Sequence, residues 1–308
     1  MSGTWGEPLS PALAADDLGD VLAVWQQATT ASSERVYSSG FTPDAGWTSG
    51  PMPLSESLSS IAGLDVVAKG EGNVVVAFRA STDVWAISRN VLRDEPLGSI
   101  VLQSQNATDL TLPSAAIDAL GGAWVAWGQE RDRLVARHGS LPGSPPQMAW
   151  SSQTTVAVTA NDGPLRAGGQ PSIGVSASGA HATAVWLEGS DTLMFAASFT
   201  AAGGWTDPVN AGSTYFNGIV GPALDMDGNA CLPVSTRSGG GRSYHIRGPM
   251  AGAPGAFGLY LWGDSPPNVF TSAPDLCTNN AGDALVIGPV FDSSNPPVGQ
   301  RTTLRAAY

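Results

Sequence analysis

The chain has 308 residues, 42% of them apolar and only 13% charged, with 38 glycines and 23 prolines spread along it. That composition excludes a disordered chain and supplies enough apolar side chains for a large core. With 14 Lys and Arg against 26 Asp and Glu, the formal charge is −12, which excludes a nucleic-acid phosphate surface as partner because such a contact needs clustered cations.

Read from the N-terminus, the chain repeats one unit. A glycine turn opens a short apolar strand, and that glycine recurs as Gly19, Gly72, Gly122, Gly179, Gly228 and Gly282, at intervals of 49 to 57 residues. The strands that follow are Val21 to Trp25, Val74 to Phe78, Ala123 to Trp127, Ala182 to Trp186, Ala230 to Val234 and Ala284 to Ile287. A shorter apolar strand precedes each, often opened by proline, as at Pro11, Pro113, Pro171, Pro222 and Pro274. Proline is tolerated at a first strand position because no ladder donor is lost there.

Third strands are predicted at Arg35 to Phe41, Val84 to Ser88, Leu134 to Arg137, Leu193 to Phe199, Tyr244 to Arg247 and Thr303 to Tyr308. Fourth strands start near Trp47, Trp150 and Trp205, with Leu97 standing in for the second repeat and either Phe257 or Trp262 for the fifth. Sets of four strands at a period near 50 are the signature of propeller blades.

The expected fold is therefore an all-β, six-bladed β-propeller of four-stranded antiparallel blades in a single domain, residues 1–308. Approximate blades are 11–57, 58–110, 111–169, 170–218, 219–270 and 271–308 together with 1–10. Residues Gly3 to Ser10 read like Gly204 to Pro208, so the N-terminal strand is expected to complete the C-terminal blade and close the ring, which removes two exposed sheet edges. The glycine turn, the apolar strand ending in Val-Trp or Ala-Trp and the Gly-Trp-x-x-Pro fourth strand resemble the repeats of bacterial six- and seven-bladed β-propellers. Arg35 to Tyr37 followed by Gly46-Trp47 is similar, in one repeat, to the blade motif of fungal fucose lectins. These motifs specify the blade and carry over no active site.

Six tryptophans occupy two repeated positions, Trp25, Trp127 and Trp186 in one and Trp5, Trp47 and Trp205 in the other. Repetition reads as packing, and a ring left exposed would be free to stack on a sugar. Asp225, Asp227 and Asn229 look like the start of a calcium loop, but a glycine hairpin turn explains the same letters in the other repeats; no cofactor is expected. His138, His181 and His245 have no ligand spacing, and Glu130, Asp132 and Glu188 read as turn residues rather than as paired catalytic carboxylates. Cys231 and Cys277 are expected as two reduced thiols, since packed sheets stand farther apart than a disulfide spans.

One cluster breaks the repeat: Arg242, Tyr244, His245 and Arg247, with Tyr215, Phe216, Tyr260 and Trp262. Cationic donors beside aromatic faces suit a sugar or an acidic ligand. The function read from this pattern is a non-catalytic, lectin-like propeller that binds a glycan or another cell-surface ligand, without nucleic acid and without membrane insertion. A hydrolase or lyase with one polar site at the central channel, and a protein-interaction scaffold, are the alternative readings. Sparse lysine and abundant Ser, Thr and Gly point to an extracellular or periplasmic location, although residues 1 to 5 lack the start of a secretory leader. No run of 18 apolar residues occurs.

Overall fold

A computed structural model describes residues 8–47, 50–70, 72–90, 95–103, 110–130, 132–140, 148–158, 171–188, 193–213, 221–224, 227–228, 230–238, 241–249, 257–261, 268–270, 275–278, 284–292 and 302–307. Among them there is no helix, and six antiparallel sheets follow one another along the chain. The chain divides into two compact units, Met1–Thr155 and Val156–Tyr308.

In the first unit, sheet 1 contains β1 (Leu9–Ala15), β2 (Val21–Thr30), β3 (Ser33–Thr42), the two-residue β4 (Gly46–Trp47) and β5 (Met52–Pro53), the last two both paired to β3. Sheet 2 is β6 (Ile61–Lys69), β7 (Asn73–Ala80), β8 (Asp83–Asn90) and β9 (Glu95–Gln103) in simple up-and-down order. Sheet 3 follows the same order through β10 (Ser114–Ile117), β11 (Ala123–Gln129), β12 (Arg133–Ser140) and β13 (Ala149–Trp150); the division between units falls within the next strand, β14 (Thr154–Val158).

The second unit opens with sheet 4, made of β15 (Ser172–Val175), β16 (His181–Glu188), β17 (Leu193–Thr200), β18 (Gly204–Trp205) and β19 (Val209–Ser213). Sheet 5 is β20 (Ala223–Leu224), β21 (Ala230–Ser238), β22 (Gly241–Pro249) and β23 (Phe257–Leu261), so the fourth strand of that repeat is the one at Phe257 and it pairs through Pro249. In sheet 6, β24 (Asn268–Phe270) and β25 (Asp275–Thr278) pair with successive stretches of β26 (Ala284–Asp292), and β27 (Thr302–Ala307) also pairs with β26.

The second strands of sheets 2 and 3, β7 and β11, are apolar because they are covered on both sides. Along β7, Val74, Val76, Phe78 and Ala80 pack toward Leu22, Val24 and Val36 of sheet 1, while Val75 and Ala77 join Ala123, Val125, Trp127 and Val135 of sheet 3. Side chains alternate across a strand, so both parities must be apolar when both faces are buried. In unit 2, Val185, Leu187, Met194, Ala196 and Ala211 form a corresponding cluster. On β2 the pattern differs: Leu22 and Val24 are buried, whereas Val21, Ala23 and Trp25 are half-buried.

Two glycine positions carry the close geometry. Gly19 and Gly121 share a left-handed φ of 86° and 84°, so the turn equivalent to Gly19 is at Gly121, one residue before the glycine that sequence spacing selects. A left-handed φ is cheap only without a Cβ. Gly174 lies against the Pro222 carbonyl oxygen, where an added Cβ would collide with backbone. Gly174→Ala is expected to cost about 1–3 kcal/mol because a backbone contact cannot move aside, whereas Gly50→Ala, with nothing within 4 Å of its Cβ position, is expected to change stability by less than about 0.5 kcal/mol. Urea unfolding midpoints of the two variants check this.

Candidate functional site

The repeated tryptophans are held in cross-strand pairs. Trp25 stacks on Tyr37 with ring centroids 6.3 Å apart, and Trp186 stacks on Phe195 at 6.1 Å; in sheet 2 the pair is Phe78 with Trp85 at 6.2 Å. Each pair sits at directly opposed positions of the second and third strands, where side chains on one face are closest. Trp127 faces Val135 at that place and is fully buried.

The indole N–H shows how a neighbouring polar residue completes the packing. Trp186 Nε1 donates to Glu188 Oε1 at 2.8 Å, and Trp25 Nε1 donates to Gln27 Oε1 at 3.4 Å. Gln129 holds the corresponding place beside Trp127, but its Oε1 accepts from Gln153 at 2.9 Å and its Nε2 donates to Glu130 at 3.4 Å; Trp127 Nε1 is left buried without an acceptor. Glu188 thus serves an indole, and Glu130 lies on a hairpin tip within 3.8 Å of Arg133. Asp132 is likewise 3.8 Å from Arg133. These three carboxylates are turn and packing groups in the described geometry.

The second tryptophan set forms the short fourth strands. Trp47 tilts against Phe41 and Trp205 against Phe199, each with centroids 5.4 Å apart, while Trp150 pairs opposite Gly139. Trp150 and Trp205 are half-buried, but Trp47 is 55% exposed. It shares a sheet face with Phe41, because the two residues are directly paired, and Tyr37 and Trp25 lie on that same face four residues along. Sheet 1 therefore presents an aromatic face whose outermost ring is open. Trp5 lies outside the described residues.

Of the residues that break the repeat, Arg242, Tyr244, His245 and Arg247 lie on β22 and Tyr260 on β23; Tyr215, Phe216 and Trp262 lie outside the described residues. Tyr260 pairs with Ile246, so the register puts Arg242, Tyr244 and Tyr260 at positions of one face, and His245 and Arg247 at positions of the other.

Asp225 and Asn229 also lie outside the described residues, and Asp227 is exposed. The equivalent carboxylates elsewhere cap their own turns. Asp16 Oδ1 accepts from the N–H groups of Leu18 and Asp20 at 2.9 Å, and Asp118 Oδ1 from those of Leu120 and Gly122 at 2.8 Å. Ser176 does the same for His181 at 3.2 Å. Among the described residues no group of three or more His, Cys, Asp or Glu is placed to hold a metal ion. His138 is tilted over Trp124 at 4.9 Å; burial holds its imidazole below the usual histidine range, with the Asp118 charge pulling the other way.

The chain matches no protein-family model, and no curated protein matches it in sequence. Among solved structures it is similar to AofleA from Arthrobotrys oligospora, with a TM-score of 0.53 at 10% identity over 96% of this chain and 86% of that one. The subtype N10 neuraminidase-like protein of A/little yellow-shouldered bat/Guatemala/060/2010 is similar at a TM-score of 0.52 and 13% identity, over 94% and 92%. A fungal lectin of Aleuria aurantia, a six-bladed β-propeller with a fucose recognition mode, has a TM-score of 0.42 at 11% identity, over 91% and 88%. At 10% and 13% identity the likeness to the first two reaches the fold and stops there.

The Trp186 contact yields a measurable expectation. Glu188→Ala strands a buried N–H and is expected to cost about 1–3 kcal/mol, while Glu188→Gln keeps an acceptor and costs less than about 1 kcal/mol. Denaturant unfolding of both variants separates the lost hydrogen bond from the lost charge.

Proposed function

We propose that this chain is a non-catalytic, lectin-like propeller that recognises carbohydrate outside the cytoplasm. The observation that carries the reading is the exposed Trp47 ring at the edge of an aromatic face, where its counterparts Trp150 and Trp205 are half-buried. An open indole supplies an apolar plane on which the C–H face of a sugar ring can lie, with a polar edge for its hydroxyls. The irregular fifth repeat, with Arg242, Tyr244 and Tyr260 on one sheet face, is proposed as a second ligand surface in which guanidinium donors meet hydroxyls or carboxylates.

The six sheets are further proposed to form one ring, closed by the N-terminal residues against the sixth sheet. Support comes from β2, whose second face, Val21, Ala23 and Trp25, is apolar and only half-buried, as expected of a strand with a further sheet to meet. Spin labels at Leu9→Cys and Thr303→Cys, with Cys231 and Cys277 replaced by alanine, are then expected within about 20 Å, roughly the width of four strands. A separation several times larger overturns the ring.

A glycan array tests the binding reading. The wild type is expected to retain one family of sugars and Trp47→Ala to lose at least about tenfold in affinity, equal to about 1.4 kcal/mol, with the fold kept and a drop in stability of no more than about 1.5 kcal/mol from the lost Phe41 contact. Arg242→Ala and Trp262→Ala locate the second surface by the same readout. Absence of glycan binding together with turnover of a polysaccharide overturns the reading in favour of an enzyme.

A further inference from the structure

The turn between β1 and β2 carries more acid than its own capping uses. Asp16 is fully committed: Oδ1 takes the N–H groups of Leu18 and Asp20, and Oδ2 reaches across to sheet 2 to accept from Gly72 N at 2.7 Å. Beside it, Asp17 accepts from Lys69 Nζ at 2.9 Å and from Gly70 N at 3.3 Å. These contacts tie the first turn of sheet 1 to the first turn of sheet 2. Asp20 is different. It is only 4% exposed, and its Oδ2 is buried with no hydrogen-bond partner.

We propose that Asp20, with the carboxylates of Asp16 and Asp44 around it, is a proton-binding site that tightens the joint between sheets 1 and 2 in mild acid. A buried, unpartnered carboxylate oxygen is costly as an anion and inexpensive once protonated. The charged groups that face it are Asp16 on its own turn and Asp44 on the turn after β3, whose Pro43 lies beside Gly19; Asp17 on the same turn is paired to Lys69 of sheet 2. Burial first, then the charges of Asp16 and Asp44, push the Asp20 carboxyl above the usual aspartate range. The hydrogen bond from Lys69 leads the causes that pull Asp17 below it.

The two shifts have opposite signs. Asp20 binds its proton more tightly folded than unfolded, so its contribution is full below the unfolded value of about 3.9 and is lost as pH rises through its folded value. Asp17 contributes above about pH 3.9 and loses that contribution as pH falls through its lower folded value. The joint is therefore firmest near pH 4 and loosens toward neutrality through Asp20 and toward strong acid through Asp17. A proton suits the site better than a metal ion, because the Asp16 oxygens are already turned to three N–H groups.

Hydrogen exchange of the Gly70 and Gly72 amides, corrected for intrinsic rates, tests this on the whole chain alongside thermal unfolding. Protection of Gly72 is expected to rise several-fold from about pH 7 to about pH 4 in the wild type and to stay flat in Asp20→Asn, which also unfolds at a higher temperature than the wild type at neutral pH. Asp44→Asn should move both readouts the same way with a smaller change, and it keeps the test open if Asp20→Asn does not fold. Unchanged Gly72 protection across that range in the wild type overturns the proposal. So does protection by millimolar calcium that Asp20→Asn abolishes, since a metal would then hold the site.

Discussion

Burial of the second strands β7 and β11 on both faces is the constraint from which the packing of sheets 2 and 3 follows. In sheet 2, β7 sends Val74, Val76 and Phe78 toward one neighbour and Val75 and Ala77 toward the other. Six residues of β11, from Ala123 to Gly128, are all buried. A strand in that position cannot show the polar alternation of a surface strand. Its hydroxyl, amide and charged groups are pushed to the ends of the hairpins and to the outer strands, and there the cross-sheet contacts and the exposed aromatic ring are found.

With both faces committed to apolar contact, polar links between sheets run from long side chains to backbone or hydroxyl groups next door. Arg89 Nη1 donates to Ser38 Oγ at 2.8 Å, Arg137 Nη1 to the Leu102 carbonyl at 2.8 Å, and Arg79 Nη1 to the Leu110 carbonyl at 2.6 Å. Asp65 accepts from Ala115 N at 2.8 Å. Burial raises the Asp65 carboxyl above its ordinary range even though the N–H groups of Ala115 and Val66 and the Ser114 side chain pull it down. Each such bond is directional, so it fixes one sheet's height against the next, which apolar contact alone leaves free to slide.

The repeat was legible because its causes are local. A left-handed glycine and a doubly buried strand each leave letters at fixed offsets, whereas the acceptor two residues beyond an indole, Gln27 for Trp25 and Glu188 for Trp186, was not legible, and Glu188 reads in the sequence as a turn residue. The one-residue error at Gly121 arose where two glycines adjoin, since only φ separates them. Phe257 opens the fourth strand of sheet 5, a choice set by pairing with Pro249 and not by aromatic identity. The cross-sheet bonds were not legible at all. Nothing near Asp65 or Arg89 in the chain announces a partner about 50 residues away, because that pairing depends on how neighbouring sheets stack.

Function in such a molecule lies where one copy departs from the others under the same backbone. Trp47 and Trp205 share strand position, partner ring and centroid distance, so what separates them is only what covers the indole. Packing accounts for the geometry of both, yet it gives no reason to leave one large apolar ring open to water, where burial would have been favourable by about 25 cal/mol per Å² of apolar surface. Under the proposed reading a ligand that completes the contact supplies that reason, and a sugar ring, apolar on one face and hydroxylated at its edge, would match the open indole.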